Sequence, residues 1–136
     1  MVLCWPVIDP LGRYRYGKEL QAKGGSYPEQ IDRVIPSHDK YWGSETAMAE
    51  GNPVAALEAG EIVEMPPVLY VQGEDDVMHP RPHLDRFVEQ YRRRGGEVSL
   101  ALYPGEVEGF ILRNADAPAA GLATERIISF VHRTLG

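Results

Sequence analysis

Apolar residues cluster along this chain in two distinct rhythms. Val68 to Val71 are apolar without a break, with Pro66-Pro67 before them and Gly73 after. Apolar on both faces, this run predicts a buried central strand of a parallel sheet. A polar loop from Glu74 to Pro80 follows, and Pro82 suits the first turn of a helix. Leu84, Phe87, Val88 and Tyr91 then recur at helical spacing, with Arg92, Arg93 and Arg94 as a solvated last turn. Gly95-Gly96 stops the helix. Val98 to Tyr103 predicts a second strand, ended by Pro104-Gly105. Pro118 to Leu135 predicts a helix with one apolar stripe of Leu122, Ile127, Ile128, Phe130, Val131 and Leu135. Strand, helix, strand, helix is the order of a parallel α/β sheet with crossover helices.

The first half is less regular. Val2 to Ile8 is a short apolar strand that Pro6 confines to an edge. Tyr14 to Lys23 is helix-like and stops at Gly24-Gly25. Between Tyr27 and Glu64, short helical pieces alternate with breakers. Ser44 can cap Glu45 to Glu50, and Asn52 with Pro53 can cap Val54 to Glu58. The expected organisation is a single α/β domain over 1–136. It has an edge strand over 1–9, a helical connector over 10–65 and the strand-helix-strand-helix part over 66–136. There is no internal repeat.

Composition narrows the function classes. The chain has 136 residues, 43% hydrophobic and 25% charged, which is globular composition. It carries 14 basic and 20 acidic side chains for a net charge of -6. A pI near 5.2 offers phosphate no basic face, so no nucleic-acid partner is expected. No apolar stretch reaches the roughly 20 residues of a membrane-spanning helix. The start, MVLCWPVIDP, has no basic segment of the signal-peptide kind, so a soluble cytoplasmic protein is expected. The single cysteine, Cys4, leaves no internal disulfide, and in an apolar strand it reads as inert core.

Ligands of parallel α/β sheets bind beyond the carboxyl ends of the strands. Two loops leave such ends here. One carries Asp75, Asp76 and His79; the other carries Glu106 and Glu108. Together these five could gather a divalent metal, but their spacing matches no metal motif, and no cofactor is expected. Asp76 could equally cap the following helix, and His79 beside Pro80 could be an ordinary loop residue. Tyr14, Tyr16, Tyr41 and Trp42 could line a pocket or simply pack.

The segment PPVLYVQGEDDVMHP resembles the acid-bearing strand and loop of α/β-hydrolase esterases, in which an apolar strand ends in Gly-x-x-Asp. Gly73, Asp76 and Pro80 match that pattern. VSLALYPGEVEGFI is similar to the last strand and catalytic-histidine loop of the same esterase and lipase group. Tyr103, Pro104, Gly105, Gly109 and Phe110 match, and the histidine position holds Glu108. VLCWPVIDP resembles the strand after the nucleophile helix, which would make Tyr14 to Glu64 a cap insertion. The resemblance implies a partial α/β-hydrolase fold: about three mostly parallel strands, flanking helices and a cap-like helical insertion. It implies the C-terminal half of such an enzyme.

Two departures qualify the implied ester hydrolysis. The sequence has no Gly-x-Ser-x-Gly, the elbow that presents the nucleophilic serine in this family. The family histidine moves a proton between serine and leaving group, work suited to a pKa of about 7. A glutamate, with a reference pKa of about 4.3, is a poor base there. Asp76 and Glu108, if they meet, repel each other, and His79 as an imidazolium could relieve that repulsion. The expected catalytic positions are therefore Asp76, Glu108 and His79, in a chain with little esterase activity of its own. The alternative is a non-catalytic pseudoenzyme module for binding or assembly. The implied substrate is a small ester, handled once a nucleophile-bearing half completes the site. The implied assembly is a homo-oligomer joined through the 2–8 strand, whose apolar edge would lack a neighbour.

Overall fold

Two prolines, Pro66 and Pro67, fix an extended entry to the apolar run that follows. That run is the central strand of a three-stranded parallel sheet in the computed structural model, which describes all of residues 1–136. In chain order the elements are β1 (Val2–Cys4), α1 (Pro10–Lys23), α2 (Ile31–Trp42), α3 (Glu45–Glu50) and α4 (Pro53–Ala59). They continue as β2 (Val68–Gly73), α5 (Arg81–Arg93), β3 (Val98–Tyr103), α6 (Phe110–Arg113) and α7 (Pro118–Leu135). These elements divide into two units. One comprises Met1–Pro6, Glu64–Val77 and Tyr91–Gly136; the other comprises Val7–Val63 and Met78–Gln90.

The first unit holds the sheet, in the order β1-β2-β3 with both pairings parallel. The expected fold class, three parallel strands with flanking helices, is the observed one. All six residues of β2 are buried, as a central strand requires. Leu69 and Val71 of β2 pack with Ala101, Phe110, Ala123 and Phe130 in one core cluster. Helices α6 and α7 cover that face. The buried side of α7 differs from the stripe its large residues predict. Ala120, Ala123 and Phe130 are its buried residues, whereas Leu122, Ile128 and Leu135 are exposed. Ala120 and Ala123 let the first half of the helix approach the sheet closely, while Phe130 and Ile127 of the expected stripe do pack on the core.

Two further expectations change here. The strand expected over Val2 to Ile8 ends at Cys4. Trp5 turns the chain with a φ of 38°, a strained value for a side chain of its size. Its N–H still donates to the Val71 carbonyl at 2.8 Å, and its ring packs against Phe110. Arg92 is no free solvated cation, because it donates to the Val98 carbonyl at 2.8 Å.

The second unit is helical, built from α1 to α4 and the greater part of α5. α1 starts at Pro10, earlier than the apolar pattern from Tyr14 predicts. Asp9 is the reason: its carboxylate accepts the Gly12 N–H at 2.8 Å, with Pro10 pre-set for the first turn. Asn52 caps α4 as expected, accepting from Val54 and Ala55. Its amide also donates to Asp9 at 2.6 Å. Arg86 reaches the other Asp9 oxygen at 3.4 Å and grips Glu58 with two hydrogen bonds. Two helix caps and one arginine are thus tied to the same buried carboxylate.

Candidate functional site

The carboxyl ends of β2 and β3 lie side by side in the first unit, with Gly73 paired to Tyr103. The loops that leave them are joined through backbone. Glu74 N–H donates to the Tyr103 carbonyl at 2.9 Å, and Asp75 N–H donates to the Glu106 carbonyl at 3.0 Å. Gly73 makes this contact possible. A side chain there would overlap the Glu106 carbonyl and come within 3.0 Å of the Val107 nitrogen. Backbone cannot step aside as a flexible side chain can, so Gly73→Ala is expected to cost about 1–3 kcal/mol. Chemical denaturation measures this; unchanged stability would mean that the two turns separate freely.

The loop after β3 is shaped by two glycines in left-handed conformation, Gly105 at φ 77° and Gly109 at φ 75°. They turn the chain twice and start α6. Glu108 lies between them with its side chain 29% exposed, and Arg113 donates to its carboxylate at 3.4 Å. The sequence pattern offered no sign of Arg113, whose partnership depends on the short helix α6 bringing it back beside Glu108. Phe110 follows, buried against Tyr103 at 5.1 Å and Trp5 at 6.0 Å between ring centroids.

Asp76 is buried at the end of the β2 loop, where its N–H donates to the Gly73 carbonyl at 3.3 Å. Its carboxylate adds to the effect of burial on Tyr70, whose phenol is pushed far above the ordinary tyrosine range. Asp76, Glu106 and Glu108 thus belong to one unit and to two hydrogen-bonded loops. His79 is also buried and belongs to the second unit. There His83 is held below the ordinary histidine range, mainly by burial, with Asp9 opposing the shift and the guanidinium groups of Arg86 and Arg13 adding to it. No three His, Cys, Asp or Glu side chains gather where they could share a metal ion.

Of the four aromatics singled out by composition, Tyr14 is buried and Tyr41 is 80% exposed. Tyr41 meets Trp42 edge-on at 5.0 Å. Cys4 is free and half-buried, and burial raises its thiol above the usual range. No helix is long and apolar enough to cross a membrane.

No protein-family model matches the chain, and no curated protein does. Among solved structures, a thermophilic esterase from the Planctomycetes species Thermogutta terrifontis matches with a TM-score of 0.54 at 20% identity. The match covers 72% of this chain and 33% of the esterase chain. At this level of identity the likeness is one of fold: most of this chain is built like a third of that esterase.

Proposed function

We propose that this chain is a hydrolase-like α/β module that corresponds to the C-terminal part of a serine carboxylic-ester hydrolase. In this reading Asp76 takes the position of the triad acid and Glu108 that of the histidine. The helical region over 10–65 takes the place of a cap, and His79 is the nearest substitute base in the sequence. The observation that carries the reading is the backbone union of the two loops beyond β2 and β3. It sets the Asp76 turn against the Glu106 to Glu108 turn at the carboxyl end of a parallel sheet, where ligands of such sheets bind. The fold shared with part of an esterase supports it further.

The chemistry argues for little activity in the chain by itself. Carboxylates as a class are weak bases at neutral pH, and Glu108 is engaged by the Arg113 guanidinium at 3.4 Å. Without a Gly-x-Ser-x-Gly segment there is no elbow serine for it to activate. A p-nitrophenyl acetate assay on the pure chain is expected to show no hydrolysis sensitive to a serine-directed inhibitor. Substantial inhibitor-sensitive turnover would overturn the reading. A reading frame for Gly-x-Ser-x-Gly upstream of Met1 would support the view that a larger enzyme uses this module.

A second reading, a soluble cytoplasmic pseudoenzyme module that self-associates, draws on β1. β1 pairs with β2 in parallel, and the flanking Met1 carbonyl and Trp5 N–H also bond to that strand. By strand alternation, Val2 and Cys4 turn their N–H and C=O groups away from β2. Such an edge is a template for a second strand. Association through Val2 to Ile8 would show as a dimer or larger species in light scattering; a clean monomer at high concentration would contradict it.

A further inference from the structure

A pocket of about 360 Å³ lies in the first unit, at the amino ends of β2 and β3. Its walls include Pro67, Glu97, Ser99, Phe130, Arg133 and Thr134. Strand alternation sets the direction of the sheet residues. Ser99 pairs with Leu69, and Leu69 and Ala101 pack with Phe130 on the face that α7 covers. Glu97 precedes β3 but continues its ladder, its carbonyl accepting the Val68 N–H at 2.8 Å. Glu97, Ser99 and Ala101 thus share one face, and Glu97 and Ser99 look toward α7.

From the α7 side comes the opposite charge. Arg133 lies one turn beyond Phe130, and its guanidinium carbon stands over the Phe130 ring, 5.7 Å from the centroid. That ring is itself a wall of the pocket, so it places the cation there. Opposite charges on one small pocket attract. Yet Glu97 and Arg133 make no ion pair, with each other or with any other residue. The cation–π contact holds the guanidinium on the ring and leaves the space open. The half-buried Ser99 hydroxyl has no hydrogen bond either. Thr134 donates its hydroxyl proton to the Phe130 carbonyl at 2.8 Å, which keeps its oxygen available as an acceptor.

The geometry points to this pocket as a binding site for a free α-amino acid with an apolar side chain. The ligand ammonium faces Glu97, its carboxylate faces Arg133, and its side chain meets the apolar wall of Phe130 and Pro67. Ser99 and Thr134 offer hydroxyl groups to the polar end. Ligand pockets span roughly 300–1,000 Å³, so this one, at the small end, suits one amino acid and not a peptide. A plain carboxylate leaves Glu97 without a cation, and a plain amine leaves Arg133 without an anion. The inference is independent of the esterase reading, which concerns the carboxyl ends of the same strands.

The test is a titration of the full ¹⁵N-labelled chain at pH 7 with L-leucine, 4-methylpentanoate, which lacks the ammonium, and leucinamide, which lacks the carboxylate. Calorimetry gives the affinities, and the Ser99 and Thr134 amide resonances locate the ligand. L-Leucine is expected to move both resonances and to bind about tenfold tighter than either analogue, the worth of one charge-assisted hydrogen bond. Glu97 and Arg133 are exposed, so replacing them leaves the core untouched. Glu97→Gln brings leucine down to the affinity of 4-methylpentanoate, and Arg133→Gln brings it down to that of leucinamide. Equal affinity for the three compounds, undiminished leucine binding in either variant, shifts confined to other residues, or no binding at all would overturn the inference.

Discussion

Replacing Phe110 with alanine is expected to cost about 3–5 kcal/mol, the usual toll for deleting a buried phenyl ring. Phe110 is 2% exposed and belongs to the cluster that seats α6 and α7 on β2 and β3. It touches the rings of Tyr103 and Trp5, so the void would open at the carboxyl ends of both β1 and β3. It also follows Gly109 directly, which makes it the anchor of the loop that carries Glu108. Urea unfolding should show the midpoint fall with little change in slope. Tryptophan fluorescence should shift as Trp5 loses its neighbour. A loss below about 1 kcal/mol would mean that the loop is anchored by something else.

The second large effect is expected at Asp9. Asp9→Ala removes the cap of α1, worth about 1 kcal/mol, and leaves the buried Asn52 amide without its acceptor, worth about 1–3 kcal/mol more. A total near 3 kcal/mol follows. Asp9→Asn separates the parts, because an asparagine carbonyl still caps the helix and still accepts from Asn52. It gives up only the charge facing Arg86, which keeps its two bonds to Glu58. The asparagine variant should therefore lose about 1 kcal/mol or less. Equal losses in both variants would show that the charge, not the caps, matters at this position.

Much of the sheet is legible because its two longer strands, β2 and β3, are short apolar-rich runs followed by glycine or proline. Pro66-Pro67 and Gly73 frame β2 to within a residue, and Pro104-Gly105 ends β3. Asn52-Pro53 and Ser44 marked their helices because a side-chain cap is written in one or two positions. Asp9-Pro10 is the same signal, but the apolar pattern that follows starts only four residues later, at Tyr14. The α7 stripe misled for another reason. Periodicity weighs large residues, whereas close packing on a sheet selects small ones, and Ala120 and Ala123 carry little hydrophobic signal. At the candidate site, the loops and their glycines could be read from the sequence. The Arg113 partner of Glu108 could not, since it arises from how a helix brings its side chain round.

The parallel register of β1 bears on the order in which the chain can fold. Val2 pairs with Leu69, more than sixty residues away, whereas Val68 pairs with Val98 at half that separation. Closing the longer loop costs more entropy, and β1 returns only a three-residue ladder for it. The β2–β3 pair has six residue pairs and a shorter closure, so it can assemble with α7 while the first residues are still loose. During synthesis the first strand made waits for the second, and β1 is then the last strand to join the sheet and the first to leave it.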